Sequence, residues 1–155
     1  MSARMLLALA ALALPSCVGP DPSRRVPASE VRPLLPGTWT CQENYGGASA
    51  YMEKTFRSDG TASGFIDMRG GDASVGVLLP RVPFRSRWRF DEQGNLVTYD
   101  VRTEVPGLYE EDWKSRDRIL HADDQRIDFI DVDSGDRGTF LRKAAPADGP
   151  TTWSL

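Results

Sequence analysis

The densest concentration of one chemistry in this chain is a run of arginines. In the stretch 83–90, PFRSRWRF, Arg85, Arg87 and Arg89 recur at every second position, with Arg81 shortly before them. Spacing by two puts side chains on one face of a β-strand. Three guanidinium groups in such a stripe could grip a carboxylate, a phosphate or an acidic partner protein. The plainer alternative is a solvated outer face balanced by Asp100 and Glu104 of the next strand, and cross-strand pairs of that kind are individually weak. A second cluster, Asp131-Val132-Asp133-Ser134-Gly135-Asp136, hints at a calcium loop. An EF-hand needs an oxygen ligand at its fifth position and glutamate at its twelfth, whereas Gly135 and Arg142 stand there. Asp-Ser-Gly-Asp reads instead as a turn. His121 with Asp123 and Asp124 is a third candidate, but it is the single histidine of the chain, and zinc takes three or four ligands. No metal and no cofactor is expected.

The motif set for catalysis is equally thin. Neither a Gly-x-Ser-x-Gly elbow, nor His-Glu-x-x-His, nor a Gly-x-x-x-x-Gly-Lys loop occurs. Nothing selects a working pair among the 22 acidic residues, so the expectation is a non-catalytic protein. A net charge of -3 argues against a general nucleic-acid surface, which would need a basic excess.

The N-terminus carries an address. Arg4 gives a short basic start, and Met5 to Leu14 is an unbroken apolar run. Such a run is well short of the ~20 residues of a bilayer-spanning helix and reads as a secretory signal. The next residues, Leu14-Pro15-Ser16-Cys17, resemble the lipobox of bacterial lipoproteins, with Leu14, Ser16 and Cys17 matching its pattern. The resemblance implies that residues 1–16 are a signal peptide, that Cys17 takes a diacylglyceryl group, and that the chain is held in the bacterial cell envelope. Val18 follows the lipidated position; under the sorting rule of enterobacterial lipoproteins it implies the periplasmic face of the outer membrane. The alternative is ordinary secretion with Cys17 free or paired. If Cys17 is lipidated, Cys41 loses its one intramolecular partner. It then reads as a buried small apolar side chain.

The rest of the chain must supply the scaffold. Residues 17–36, with Pro20, Pro22, Pro27, Pro33 and Pro36, read as a lipidated cysteine and a proline-rich spacer. From Gly37 the chain is a series of hairpin signals: runs at 51–57, 61–69, 83–90, 96–101, 126–133 and 137–143 flank glycine-containing turns. With 38–43 first and 116–120 as a further candidate, this predicts seven or eight antiparallel strands in a meander, and 106–117 fits either a short helix or a long loop. Phe84, Ser86, Trp88 and Phe90 share one face of their strand, and Val97, Tyr99 and Val101 form an apolar face of theirs. The fold class is all-β: an up-and-down barrel, with a β-sandwich as the alternative. Residues 144–155 are expected to be a disordered tail.

Gly37-Thr38-Trp39 at the start and Thr139-Phe140-Leu141-Arg142-Lys143 at the end make 37–143 similar to the lipocalin-like, or calycin, domains of bacterial envelope proteins. The resemblance implies that Arg142 packs across the Trp39 ring and closes one end of the barrel, a cation–π contact. Trp39, Cys41, Trp88 and Phe90 are expected to line the core or a ligand cavity. An eight-stranded barrel is just wide enough to be filled by its own side chains. Three functions follow. The first is binding an apolar or amphiphilic small ligand at the membrane surface. The second is an envelope partner-binding or inhibitor module, using Tyr109, Trp113 and the stripe Arg85, Arg87, Arg89. An enzyme comes last.

Overall fold

The computed structural model describes residues 23–45, 48–69, 81–107 and 109–144. The expected signal segment, Cys17 and the tail from residue 145 lie outside the described residues. The described chain begins with one helical turn, α1 (Ala28–Val31), followed by eight strands: β1 (Gly37–Tyr45), β2 (Ala48–Phe56), β3 (Thr61–Arg69), β4 (Val82–Phe90), β5 (Leu96–Thr103), β6 (Ser115–Ala122), β7 (Arg126–Asp131) and β8 (Arg137–Arg142). Each strand pairs antiparallel with the next, and β8 returns to β1 to close the barrel. This is the up-and-down barrel, with eight strands, and the sandwich is not formed. The ambiguous stretch 106–117 contains no helix among its described residues, and its end belongs to β6.

The turns explain why the hairpins close where they do. Between β4 and β5, the Asp91 carboxylate accepts from the backbone N–H of Gln93 and of Asn95 and from the Asn95 amide, while Gly94 takes φ +76°. Partial burial pushes Asp91 up, but the hydrogen bonds from Asn95 and Gln93 outweigh it and hold its carboxyl below the ordinary 3.8. Between β7 and β8, Asp131 accepts from the N–H groups of Asp133 and Ser134. The calcium-like sequence is therefore a turn. Gly64 meets a different demand: a Cβ there would lie 1.8 Å from the Glu53 carbonyl oxygen, so only glycine lets β3 run that close to β2.

Alternation then builds the core. Along β4, Val82, Phe84, Ser86 and Trp88 are buried while Pro83, Arg85, Arg87 and Arg89 are exposed. Trp39, Cys41, Phe56, Trp88, Leu96, Ile119, Ile127, Phe129 and Phe140 form the main cluster, with Phe90 partly buried against it. Their rings meet edge-on or stacked: Phe56 with Trp88 and Phe140, and Phe129 with Phe140 at 4.7 Å. A smaller cluster of Ala50, Ile66 and Phe84 is joined by Met52, Val101 and Tyr109.

One expectation needs correcting. The proline-rich segment is not a free spacer up to Pro36. Val31 and Leu35 are fully buried and Val26 nearly so, all in the main core cluster. The Val26 N–H donates to the Ile119 carbonyl, and the Leu35 carbonyl accepts the Trp39 indole N–H at 2.7 Å. The few apolar residues of this segment carry no strand or helix period, so composition alone read as linker. What holds them is the apolar barrel end that they cover.

Removing residues 1–22 keeps every one of these contacts and should retain a native-like melt. Removing 1–36 strips three buried side chains worth ~1.5–3 kcal/mol each and orphans the Trp39 indole N–H. The sum rivals the stability of a whole small domain. Circular dichroism melts of the two truncations should show a native-like transition for the first and a collapsed or absent one for the second.

Candidate functional site

The arginine stripe lies on the outer wall of the barrel, and the neighbouring strands turn it into a concavity. An open hollow of about 1040 Å³ is lined by Thr61, Ser63 and Phe65 of β3, Pro83, Arg85 and Arg87 of β4, and Asp100 and Arg102 of β5, with Arg57 from the β2–β3 connection and Glu104 beyond β5. Four guanidinium groups thus face two carboxylates. Arg89 lies outside this hollow, stacked over Tyr99 at 5.4 Å, and Arg81 lies over Phe65 at 3.5 Å.

A register shift assembles this surface. Arg85 pairs with Arg102 and Arg87 with Tyr99, so β4 advances two residues while β5 advances three. The extra residue is accommodated on β5, where Asp100 adopts φ +52°, uncommon for a residue with a side chain. Before the bulge, Leu96 and Thr98 are buried; after it, Val101 and Thr103 are half-buried and Asp100 and Arg102 are exposed. Strict alternation from Leu96 would have sent both Asp100 and Arg102 into the core. The expected apolar face of Val97, Tyr99 and Val101 is broken by the same bulge.

The electrostatics are one-sided. Asp100 serves two arginines, Arg102 at 3.0 Å and Arg87 at 3.7 Å. Arg57 donates to the Ser63 hydroxyl at 3.0 Å. Arg85 makes no ion pair or side-chain hydrogen bond among the described residues, although it sits directly opposite Arg102. Like charges directly opposite on adjacent strands are destabilising. The balancing role expected of Asp100 is therefore only partly filled.

The other sequence candidates separate. Trp39 is fully buried and Arg142 lies over its ring at 4.1 Å. Cys41 and Trp88 are buried, and the Trp88 indole N–H donates to the carbonyls of Arg57 and Thr61, tying down the turn beside the hollow. His121 meets the Asp123 carboxylate at 2.8 Å on the surface. Asp123 is held below 3.8 by that bond and by the N–H groups of Gln125 and Arg126, which makes it a turn anchor. Among the described residues no group of three or more His, Cys, Asp or Glu could hold a metal. Tyr109 and Trp113 pack edge-on at 4.7 Å, with Trp113 at the surface.

Sequence reasoning missed one group. Lys54 is 4% exposed, with its ammonium donating to the Thr98 hydroxyl at 2.8 Å and lying 4.6 Å from the Phe56 ring centre. Ser86 and Asp117 are buried as well, and among the described residues the Ser86 hydroxyl has no hydrogen-bond partner. The signal was present, because Lys54 shares the inward parity of Met52 and Phe56.

No family model and no curated protein matches the chain. Among solved structures it is similar to a redesigned β-barrel, at 18% identity over 74% of this chain and 96% of that one, with a TM-score of 0.44.

The opposed pair has a measurable cost. Replacing Arg85 with glutamine should leave the barrel folded and raise its stability by about 0.2–1 kcal/mol. The gain should shrink in high salt as screening removes the repulsion. Denaturant titrations at low and high ionic strength would show it; a clear loss of stability at low salt would contradict the geometry.

Proposed function

We propose that this protein is a non-catalytic binding module of the bacterial cell envelope, tethered through lipidated Cys17 at the periplasmic face of the outer membrane, which presents the basic outer face of β3–β5 to an anionic partner. The observation that carries this reading is the opposition of Arg85 and Arg102 across β4 and β5 inside a concave surface. A chain of net charge -3 has little electrostatic reason to gather four arginines there for stability alone.

The reading of the barrel as a carrier for an apolar ligand has less behind it. Trp39, Phe56, Trp88, Phe129 and Phe140 occupy one end of the interior with their own rings. Catalysis has less still. The carboxylates that hydrogen bonds hold below 3.8 include Asp59, bonded by Thr61, and Asp123, bonded by His121, and each secures a separate exposed turn.

The tether follows from Leu14-Pro15-Ser16-Cys17 behind its apolar run. Because the core claims the chain from Val26 onward, few residues separate Cys17 from the barrel. At ~3.5 Å per residue the tether reaches at most ~30 Å, so the module works close to the bilayer. Mass spectrometry of the wild-type protein extracted from its own membrane should show a chain that begins at Cys17 and carries the lipid there, and the Cys17→Ala protein should lack that added mass. A membrane-extracted wild-type chain without lipid on Cys17 would count against the anchor.

The basic face has its own test. At pH 7, above the sequence pI of 5.2, the protein should still be retained on a cation-exchange resin, because the arginines are concentrated on one wall. Arg85→Gln with Arg102→Gln should elute at markedly lower salt. Flow-through of the wild type, or an unchanged elution point for the double variant, would defeat the proposal.

A further inference from the structure

If the basic face is the binding surface, its charge and geometry also specify what kind of anion fits. Arg57, Arg85, Arg87 and Arg102 line the hollow against Asp100 and Glu104, which leaves about two positive charges for an occupant to match. Arg87 and Arg102 share Asp100, and Arg57 is engaged with Ser63. A guanidinium has five N–H donors, so each of these three retains donors, and Arg85 retains all of its own.

We propose that the hollow binds a phosphomonoester dianion, with Arg85 and Arg102 as the principal forks and Arg57 and Arg87 flanking them. Directly opposite residues on antiparallel strands have Cβ atoms about 5 Å apart, so two guanidinium planes can converge on one small group from two strands. A phosphomonoester offers three oxygens in three directions, and each fork can take two parallel N–H···O bonds. A monocarboxylate satisfies one fork and leaves the second charge unmatched. A membrane phosphodiester carries a single charge and likewise leaves one unmatched. The bulge supports the assignment, since it brings Arg102 out beside Arg85 at the expense of a left-handed Asp100. Strained backbone of that kind tends to accompany functional sites.

The source of the phosphomonoester is either a soluble metabolite or a lipid headgroup, and two experimental arms separate them. In the first, the full chain with Cys17→Ala is titrated with glycerol 3-phosphate, with succinate as a dianionic control. In the second, the same protein is sedimented with phosphatidylcholine vesicles containing either phosphatidic acid or phosphatidylglycerol. The variants Arg85→Gln and Arg102→Gln control for attachment through the N-terminal apolar run. Binding of glycerol 3-phosphate supports a soluble source, and binding confined to phosphatidic acid vesicles supports a lipid one. In either case Arg85→Gln and Arg102→Gln should each weaken binding about tenfold or more. Arg85→Lys should weaken it too, because lysine keeps the charge and loses the fork. Both positions are exposed on their strands, so the variants should stay folded, which circular dichroism verifies. Equal affinity for succinate, no effect of either glutamine variant, or no binding in both arms would overturn the assignment. Retention on cation exchange in that event would leave the basic face standing and remove only the phosphate.

Discussion

Everything in this barrel depends on how one end is closed. The Arg142 guanidinium lies over the Trp39 ring and donates to the carbonyls of Leu34, Pro36 and Asp124. One side chain thereby joins the last strand, the first strand, the segment before it and the β6–β7 turn. Paired with Arg142 in the β1–β8 register, Trp39 sends its indole N–H to Leu35 and brings the N-terminal segment down over the core. Gly37 completes the arrangement. With φ +132°, it leaves open a place where any Cβ would come within 2.3 Å of the arginine. The β1–β8 seam has two paired positions among the described residues, far fewer than β1–β2. Closure therefore relies on this cluster rather than on a long ladder of backbone bonds.

With the closed end fixed, the wall can carry the chemistry. β4 alternates without a break, which keeps aromatic rings inside and arginines outside. β5 does not, and its one irregularity moves Asp100 and Arg102 outward beside Arg85 and Arg87. The hollow is thus a product of one regular strand against one bulged strand. The Trp88 indole, anchored under the β2–β3 turn, places Arg57 at the rim of the same surface. Core packing and surface chemistry are linked through that ring.

Much of the architecture was legible because a β-strand has a period of two. The hairpin turns, the inward set of β4 and the arginine stripe all follow from that rule and from turn chemistry at Gly60, Gly94 and Gly135, each at positive φ. Three features were not legible. The bulge on β5 was hidden because aspartate tolerates the left-handed region but adopts it only where a neighbouring strand demands it, and nothing in the alternation of β5 singles out Asp100. The docking of Val26, Val31 and Leu35 was hidden in proline-rich composition. Lys54 was passed over because a lysine is ordinarily read as solvent-facing, although its parity with Met52 and Phe56 pointed inward.

The sequence by itself determined the strand order, the turns and the inside–outside division of the regular strands, since these depend on neighbours a few residues apart. It also carries the Cys17 motif, on which the reading of location rests. The tertiary structure decided that the sheet closes on itself, where the folded domain begins, and which arginines meet. Those outcomes depend on contacts between residues about a hundred positions apart, such as Trp39 with Arg142, and on a single added residue that changes the parity of half a strand. Local periodicity cannot encode either, because each is settled only when a distant strand supplies the other half of the contact.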